Sequence, residues 1–227
     1  AARDTFSFYK GIDSNLVVIN VSDAYYGVEG EVVYKNSGEP VPGVEITLFN
    51  EERTTTFQDT STNAKGDFEF ELQPHKDYAI RYVKDSLINL TEYITTKNME
   101  PGILKVKQVV EMEKLEVGKT FAVKIYFDLD KSNIRPDAAE ILDKEVYTFL
   151  TDNPTVTIEL SAHTDSRGNN AYNKALSQRR AESSVQYLIN QGIDTERMQA
   201  KGYGEERLVN ECADGVSCSD EKHQENR

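Results

Sequence analysis

The stretch "TIELSAHTDSRGNNAYNKALSQRRAESSVQYL", residues 157–188, decides the fold of the C-terminal half of this chain. It begins as an apolar run with strand-like alternation and passes through a His-Thr-Asp triplet into a cluster of Gly and Asn, which is typical of a turn. From Asn170 the apolar positions recur at helical spacing, and Gly192 is placed to end the helix. The stretch therefore predicts a strand, a turn and a helix over 170–191, with Asp165 directly after the strand.

The flanking segments extend this alternation of strands and helices. "FAVKIYF", residues 121–127, alternates like a strand, and "MQAKGYG", residues 198–204, reads as another. Pro136 is well placed as the first residue of a helix, and "DNP" ends that helix because a residue before proline avoids the helical region. This order predicts helices packed on a sheet.

The N-terminal half changes to a period of two between Val28 and Tyr82, interrupted by turn sequences such as "KNSGEPVPG" and "TNAKGD". Short strands at this spacing predict a small antiparallel β-sandwich, so the whole chain is expected to be of the α+β class. Residues 1–22 show no strong period. In the joining segment, Val106–Met112 is expected to run extended along the surface of the second domain.

Composition restricts the function. The chain has 227 residues, a net charge of -13 and a sequence pI near 4.8, which opposes binding to nucleic acid and to anionic lipid surfaces. No stretch approaches the roughly 18 to 20 apolar residues of a membrane span, and the start has no signal-peptide layout. We therefore expect no transmembrane segment, a soluble chain, and any export signal or lipid anchor already removed.

The chain contains two cysteines, Cys212 and Cys218, with five residues between them. This spacing allows a small disulfide loop, which suits an oxidising compartment, and free thiols are the alternative. A metal pair with His223 is a third reading, but these residues fall short of a structural zinc set. No metal site and no cofactor are predicted.

One face of the predicted helix is polar: Asn173, Ser177, Arg180 and Ser184 follow one another at helical spacing. A solvated helix surface would explain this stripe. However, Asp165 lies just past a strand end, where binding groups of α/β sheets gather, and the following helix N-terminus favours anions. An acid and an arginine near one another could also receive a zwitterion.

Two resemblances to known families add to these patterns. "GEVVYKNSGEPVPGVEITLFN" and "TTTFQDTSTNAKGDFEFEL" resemble the carboxypeptidase regulatory-like domain, a transthyretin-type sandwich, which implies a stabilising or spacing module rather than a peptidase. The C-terminal half resembles the peptidoglycan-associated domain of OmpA-like proteins in four stretches: "IYFDLDKSNIRPDA", the stretch at residues 157–188, "INQGIDTERMQAKGYGEERLV" and "HQENR". The implied organisation is a remnant or linker at 1–22, the sandwich at 23–100, a linker at 101–119 and the OmpA-like domain at 120–227.

The second resemblance implies a β/α domain, with helices on a mixed sheet, that holds peptidoglycan noncovalently through the diaminopimelate of its stem peptides. It also implies a location on the periplasmic side of the outer membrane. Carried over residue by residue, the implied peptidoglycan-binding set is Asp165, Arg180 fifteen residues later, Asn173, Thr164, Asp130 at the pocket rim, and Arg227. A carboxylate would take the ammonium of diaminopimelate and a guanidinium fork would take its carboxylate.

Three alternatives remain at this point. A carbohydrate hydrolase would pair Asp165 with Asp128 or Glu159, but its acid would need an apolar environment, so no enzyme is expected. "DLDKSN" copies the start of a calcium loop but lacks the glycine and glutamate that such a loop requires. Finally, the arrangement is similar to that of large outer-membrane lipoproteins of Bacteroidota, which implies a scaffold of a secretion or gliding complex, with other outer-membrane or periplasmic proteins as partners.

Overall fold

The computed structural model describes residues 6–8, 17–19, 26–98 and 104–226, with the backbone alone at 6–8, 17–19 and 104–108. The chain divides into two compact units, residues 1–116 and 117–227. The sandwich expected at 23–100 thus falls in the first unit, and the strand–turn–helix stretch at 157–188 falls in the second.

Where the structure describes the first unit, it consists of β-strands in three sheets. β1 and β2 pair with each other, β6-β3-β9 form a second sheet, and β5-β4-β7-β8 form a third. The strands are β1 (Phe6–Phe8), β2 (Val17–Ile19), β3 (Tyr26–Tyr34), β4 (Glu45–Asn50), β5 (Thr56–Ser61), β6 (Asp67–Leu72), β7 (Asp77–Val83), β8 (Leu90–Thr95) and β9 (Leu104–Met112).

The two larger sheets of this unit share one apolar core. Val28, Phe70 and Met112 from one sheet cluster with Leu48 and Ile80 from the other, and all five are buried. Alternate residues along each strand face the core, so one face of each sheet is buried against the other sheet, as expected for a sandwich. The predicted sandwich is confirmed.

β9 corrects the interpretation of the joining segment. Its extended conformation was predicted, but it pairs in parallel with β3, from Tyr26 opposite Leu104 to Tyr34 opposite Met112. It therefore belongs to the sheet of the first unit and not to the surface of the second. The reason is that β6 pairs with one edge of β3 and leaves the opposite edge for β9, where the buried Val110 and Met112 complete the core.

The second unit alternates helices and strands. Its elements are α1 (Pro136–Ile141), a π-helical segment (Leu142–Tyr147), α2 (Thr148–Asp152), β10 (Ile158–His163), α3 (Asn170–Asn190), a 3-10 turn (Thr195–Arg197), β11 (Met198–Gly204) and α4 (Asp220–Glu225). Pro136 starts α1 as predicted, and Gly192 follows α3 with a φ of +100°. The π-helical segment between α1 and α2 had no signal in the sequence.

β10 and β11 pair in parallel, and α3 packs against both of them. The core beneath α3 joins Leu188 and Val185 of that helix to Leu142, Leu150 and Met198. Parallel strands joined by a helix place the ends of β10 and β11 at the same edge of the sheet, next to the start of α3. That edge positions the candidate site.

The strand predicted at residues 121–127 is wrong, because residues 119–128 form no strand. Val123 and Ile125 still pack against the core of the second unit, so the alternation does mark a half-buried extended segment. Alternation reports which side chains face a core, whereas a strand also needs a neighbouring backbone edge with which to pair.

The helices contain no candidate membrane span: within the described residues, none combines sufficient length with sufficient apolar character.

Candidate functional site

The turn between β10 and α3 is built by backbone and side-chain hydrogen bonds. The Thr164 amide donates to the Gly204 carbonyl at 2.9 Å, which ties the turn to the end of β11. Asn169 caps α3 by accepting hydrogen bonds from the amides of Ala171 and Tyr172. The Asn169 cap uses groups within the motif itself, so the sequence could predict where the helix starts, whereas the bond to Gly204 depends on the position of β11.

Asp165 lies in this turn with only 5% of its surface exposed. Its Oδ2 accepts hydrogen bonds from Arg167, from Nη2 at 2.9 Å and Nε at 3.1 Å, and its Oδ1 accepts from the Arg167 amide at 3.1 Å. Asn173 donates to the Asp165 carbonyl at 3.2 Å. The carboxylate is therefore paired with the guanidinium of Arg167, a residue that the sequence alone did not single out.

Thr164 and Asn173 also lie in this buried cluster. The Thr164 hydroxyl is buried and has no hydrogen-bond partner within the described residues. Asn173 reaches a second acceptor, the Glu205 carboxylate that follows β11. Thr164, Asp165 and Asn173 are thus brought together where β10 and β11 end, and Glu205 joins them without having been predicted.

Arg180, on the next turns of α3, is also nearly buried, with 8% of its surface exposed. Its Nε donates to the Lys131 carbonyl at 3.0 Å, its Nη2 donates to the Asp128 carbonyl at 3.2 Å, and its Cζ lies 5.0 Å from the centre of the Phe127 ring. These contacts join α3 to the loop over residues 128–133. They also set the plane of the guanidinium fork.

Asp130 lies in the same loop, exposed and with a φ of +57°, a conformation that Asp tolerates better than most residues. It accepts a hydrogen bond from the Tyr172 phenol, and this bond is the main cause that raises the pKa of Tyr172. Tyr172 was not predicted as a partner of Asp130, since helical spacing alone does not show which loop faces a helix. Arg227 lies outside the described residues, so its predicted role stays a prediction.

The polar stripe of α3 is not a solvated surface. Asn173, Ser177, Arg180 and Ser184 are all buried. The Ser177 hydroxyl accepts from the Gly204 amide at 2.8 Å, and the Ser184 hydroxyl donates to the Arg180 carbonyl at 3.1 Å. The stripe therefore satisfies backbone groups of β11 and of α3 itself, which is why polar residues can face the sheet there.

A stack of side chains lies beside the turn. His163 stacks on Tyr203 with ring centres 5.5 Å apart, and Arg207 covers the Tyr203 ring at 3.5 Å. Burial, followed by the charge of Arg207, lowers the pKa of His163. His163 is therefore neutral at pH 7 and adds no positive charge next to Asp165.

The predicted disulfide between Cys212 and Cys218 is present, with an S–S distance of 2.05 Å. Its segment is attached to the turn, because the Ser166 hydroxyl donates to the Cys212 carbonyl at 2.7 Å and Arg167 contacts Asp220 at 2.6 Å. Within the described residues, no group of His, Cys, Asp and Glu side chains could hold a metal ion.

Replacing both cysteines by Ser is expected to lower the free energy of unfolding of the second unit by about 2 kcal/mol, because the short loop then gains freedom in the unfolded chain. Denaturant titration measures this change, and the reduced wild type serves as the matched control. Thiol labelling of the unreduced, denatured wild type should find no free sulfhydryl. Full labelling of both cysteines would show that the disulfide does not form.

This geometry defines an α+β domain with an ionic cluster where its parallel strands end. Residues 126–221 match the model of the OmpA family, and residues 27–99 match that of the carboxypeptidase regulatory-like domain. The second unit thus contains an OmpA family domain and the first a carboxypeptidase regulatory-like domain.

Curated relatives match part of the chain. The chain is 42% identical over 95 residues to the peptidoglycan-associated lipoprotein of Brucella melitensis, covering 42% of this chain and 55% of that protein. It is 39% identical over 95 residues to the protein of the same name from Rhizobium meliloti, covering 42% and 53%. The chain therefore spans about half the length of these relatives.

One solved structure similar to the chain is that of the peptidoglycan-associated lipoprotein from Burkholderia pseudomallei. Sequence identity is 28%, the TM-score is 0.40, and the match covers 45% of this chain and 82% of that one. The cell wall anchor of the type VI secretion system from Pseudomonas aeruginosa gives 24% identity and a TM-score of 0.38 over 44% and 68%. Scores this low support no conclusion beyond the sequence match.

Proposed function

We propose that the second unit binds peptidoglycan noncovalently through the diaminopimelate of its stem peptides. The observation that carries this proposal is a nearly buried carboxylate, Asp165, in the same small domain as a nearly buried guanidinium, Arg180. The names of the relatives point to the same ligand. Diaminopimelate carries an ammonium and a carboxylate on one carbon, so it offers a partner to each charge.

Each site residue has a role that its environment supports. Asp165 receives the ammonium, and Arg180, oriented by two backbone carbonyls, receives the carboxylate through a bidentate fork. The buried Thr164 hydroxyl offers a polar contact beside Asp165, and Asn173 holds the backbone of the turn in place. Asp130 forms the rim, and Arg227 is assigned as a second cation by resemblance alone.

The hydrolase alternative is disfavoured by the partners of its three candidate carboxylates. Asp165 is paired with Arg167, Asp128 is paired with Arg135 and Lys131, and Glu159 accepts a hydrogen bond from the Tyr203 phenol. A glycosidase needs one carboxyl kept protonated by an apolar environment. Asp165 and Asp128 lie beside cations and Glu159 is exposed to solvent, so none of the three has such an environment.

In the cell, this function would anchor an assembly of the outer membrane or periplasm to the wall, on the periplasmic side of the outer membrane. The first unit would act as a spacing or docking module, because its sandwich is closed around its own apolar core. A scaffold role in a secretion or gliding complex is compatible with this arrangement, and the wall contact would then be its anchor.

The test compares two kinds of cell wall. The protein is expected to bind diaminopimelate-type peptidoglycan on the order of 10- to 100-fold more tightly than lysine-type peptidoglycan, because lysine lacks the carboxylate that Arg180 would grip. Co-sedimentation with insoluble walls of each type, stripped of other polymers, measures the ratio. Equal binding to both would refute the diaminopimelate site, and binding to neither would refute the wall-anchor function.

A further inference from the structure

The carboxylate assigned to the ligand ammonium already has a cation. Three hydrogen bonds from Arg167 engage both oxygens of Asp165. The Asp165 side chain is 7% exposed and that of Arg167 is 45% exposed, so a buried carboxylate is paired with a partly exposed guanidinium. A ligand ammonium that pairs with Asp165 has to share or replace these hydrogen bonds.

Arg167 also has a second acid within reach. Its Nη1 contacts Asp220 Oδ1 at 2.6 Å, and the Asp220 side chain is 86% exposed. Asp220 is the first residue of α4, with Ser219 as its N-cap, and the neighbouring disulfide restrains this part of the chain. Arg167 is thus shared between one buried and one exposed carboxylate.

From this arrangement we infer that Arg167 is an internal competitor of the ligand. In the free protein its guanidinium occupies the position of the ligand ammonium, and it moves onto Asp220 when an amine binds. The inference rests on the proposed function and adds a specificity-determining residue to it. A ligand that carries no ammonium cannot compensate the charge of Asp165, so it cannot displace the arginine.

Charge balance makes the exchange feasible. In the free protein Arg167 compensates Asp165, and in the complex the ligand ammonium does so while Arg167 stays paired with Asp220. Neither state leaves the buried carboxylate without a cation, which would be the costly arrangement. The exchange still reduces affinity, because the ligand has to replace hydrogen bonds that the free protein already makes.

Arg167→Gln is expected to bind meso-diaminopimelate on the order of 10-fold more tightly than the wild type, because the ligand ammonium then has no guanidinium hydrogen bonds from residue 167 to replace. Calorimetric titration of the full chain measures the dissociation constants. The gain should vanish for diaminopimelate with both amines acetylated. Arg167→Lys, which keeps the charge but lacks the fork, should fall between the two, and it replaces the Gln variant if that variant does not fold.

Lys222→Gln is the matched charge control, since Lys222 pairs with Glu211 outside the cluster and its loss should not change the affinity. Unchanged or weaker binding by Arg167→Gln would overturn the inference, because it would make Arg167 a structural residue or a ligand contact. The inference would be supported if the Arg167→Gln variant bound the ligand and the wild type did not. Failure of both would refute the proposed function and the inference with it.

Discussion

Asp165→Asn and Arg180→Lys are each expected to lower the affinity for insoluble diaminopimelate-type peptidoglycan by about 30-fold to several thousand-fold. Asp165→Asn leaves the ligand ammonium without its opposite charge, and Arg180→Lys leaves the ligand carboxylate without a bidentate fork. In a partly desolvated site such a loss typically costs about 2 to 5 kcal/mol. Both substitutions preserve side-chain size closely, so the fold should persist. Co-sedimentation gives the affinity, and thermal unfolding of the same samples gives the stability.

Arg197→Lys is the matched structural control for the arginine. Like Arg180, Arg197 donates to backbone carbonyls, in its case those of Leu150, Asn153 and Val156. We expect this variant to lose stability while its folded fraction keeps full affinity for the wall. If Asp165→Asn and Arg180→Lys behave in the same way as this control, their ionic contacts are structural and the proposed ligand site is wrong.

Gly202→Ala is expected to destabilise the second unit by about 3 kcal/mol or more, the largest effect on stability that we predict. A Cβ at this position would lie 2.1 Å from the Gln178 backbone nitrogen and 2.5 Å from its Cα, so β11 and α3 could not keep their spacing. The Gly202 amide also donates to Gln178 Oε1 at 2.7 Å, a bond that depends on this close approach. Denaturant unfolding measures the loss.

Gly215→Ala provides the comparison, because a Cβ there would meet no atom within 4 Å although φ is +80°. It should cost only the backbone strain of about 1 to 2 kcal/mol. Equal stability of the Gly202 and Gly215 variants would show that β11 can move away from α3. The packing of helix on strand would then be looser than the structure indicates.

Much of the site was predictable because its local structure is encoded locally. The turn, its Asn169 cap and the start of α3 depend on residues within a few positions of one another, and so does the disulfide loop. Arg167 was not predicted, although it stands two positions after Asp165. Arginine at an exposed turn is ordinary, and only the burial of its partner makes the contact significant.

The sequence by itself determined two units of different periodicity and the β10–turn–α3 motif with Asp165 at its bend, and it allowed the disulfide loop between Cys212 and Cys218. These follow from backbone propensities and from contacts between near neighbours, which a linear pattern records. Tertiary structure alone decided that β9 joins the first unit, that residues 119–128 form no strand and that the polar face of α3 is buried. Each of these outcomes depends on a partner that is distant in the sequence, either a backbone edge or a packing face. Polar groups are buried only where such a partner exists, so the periodicity of the sequence could not reveal these outcomes.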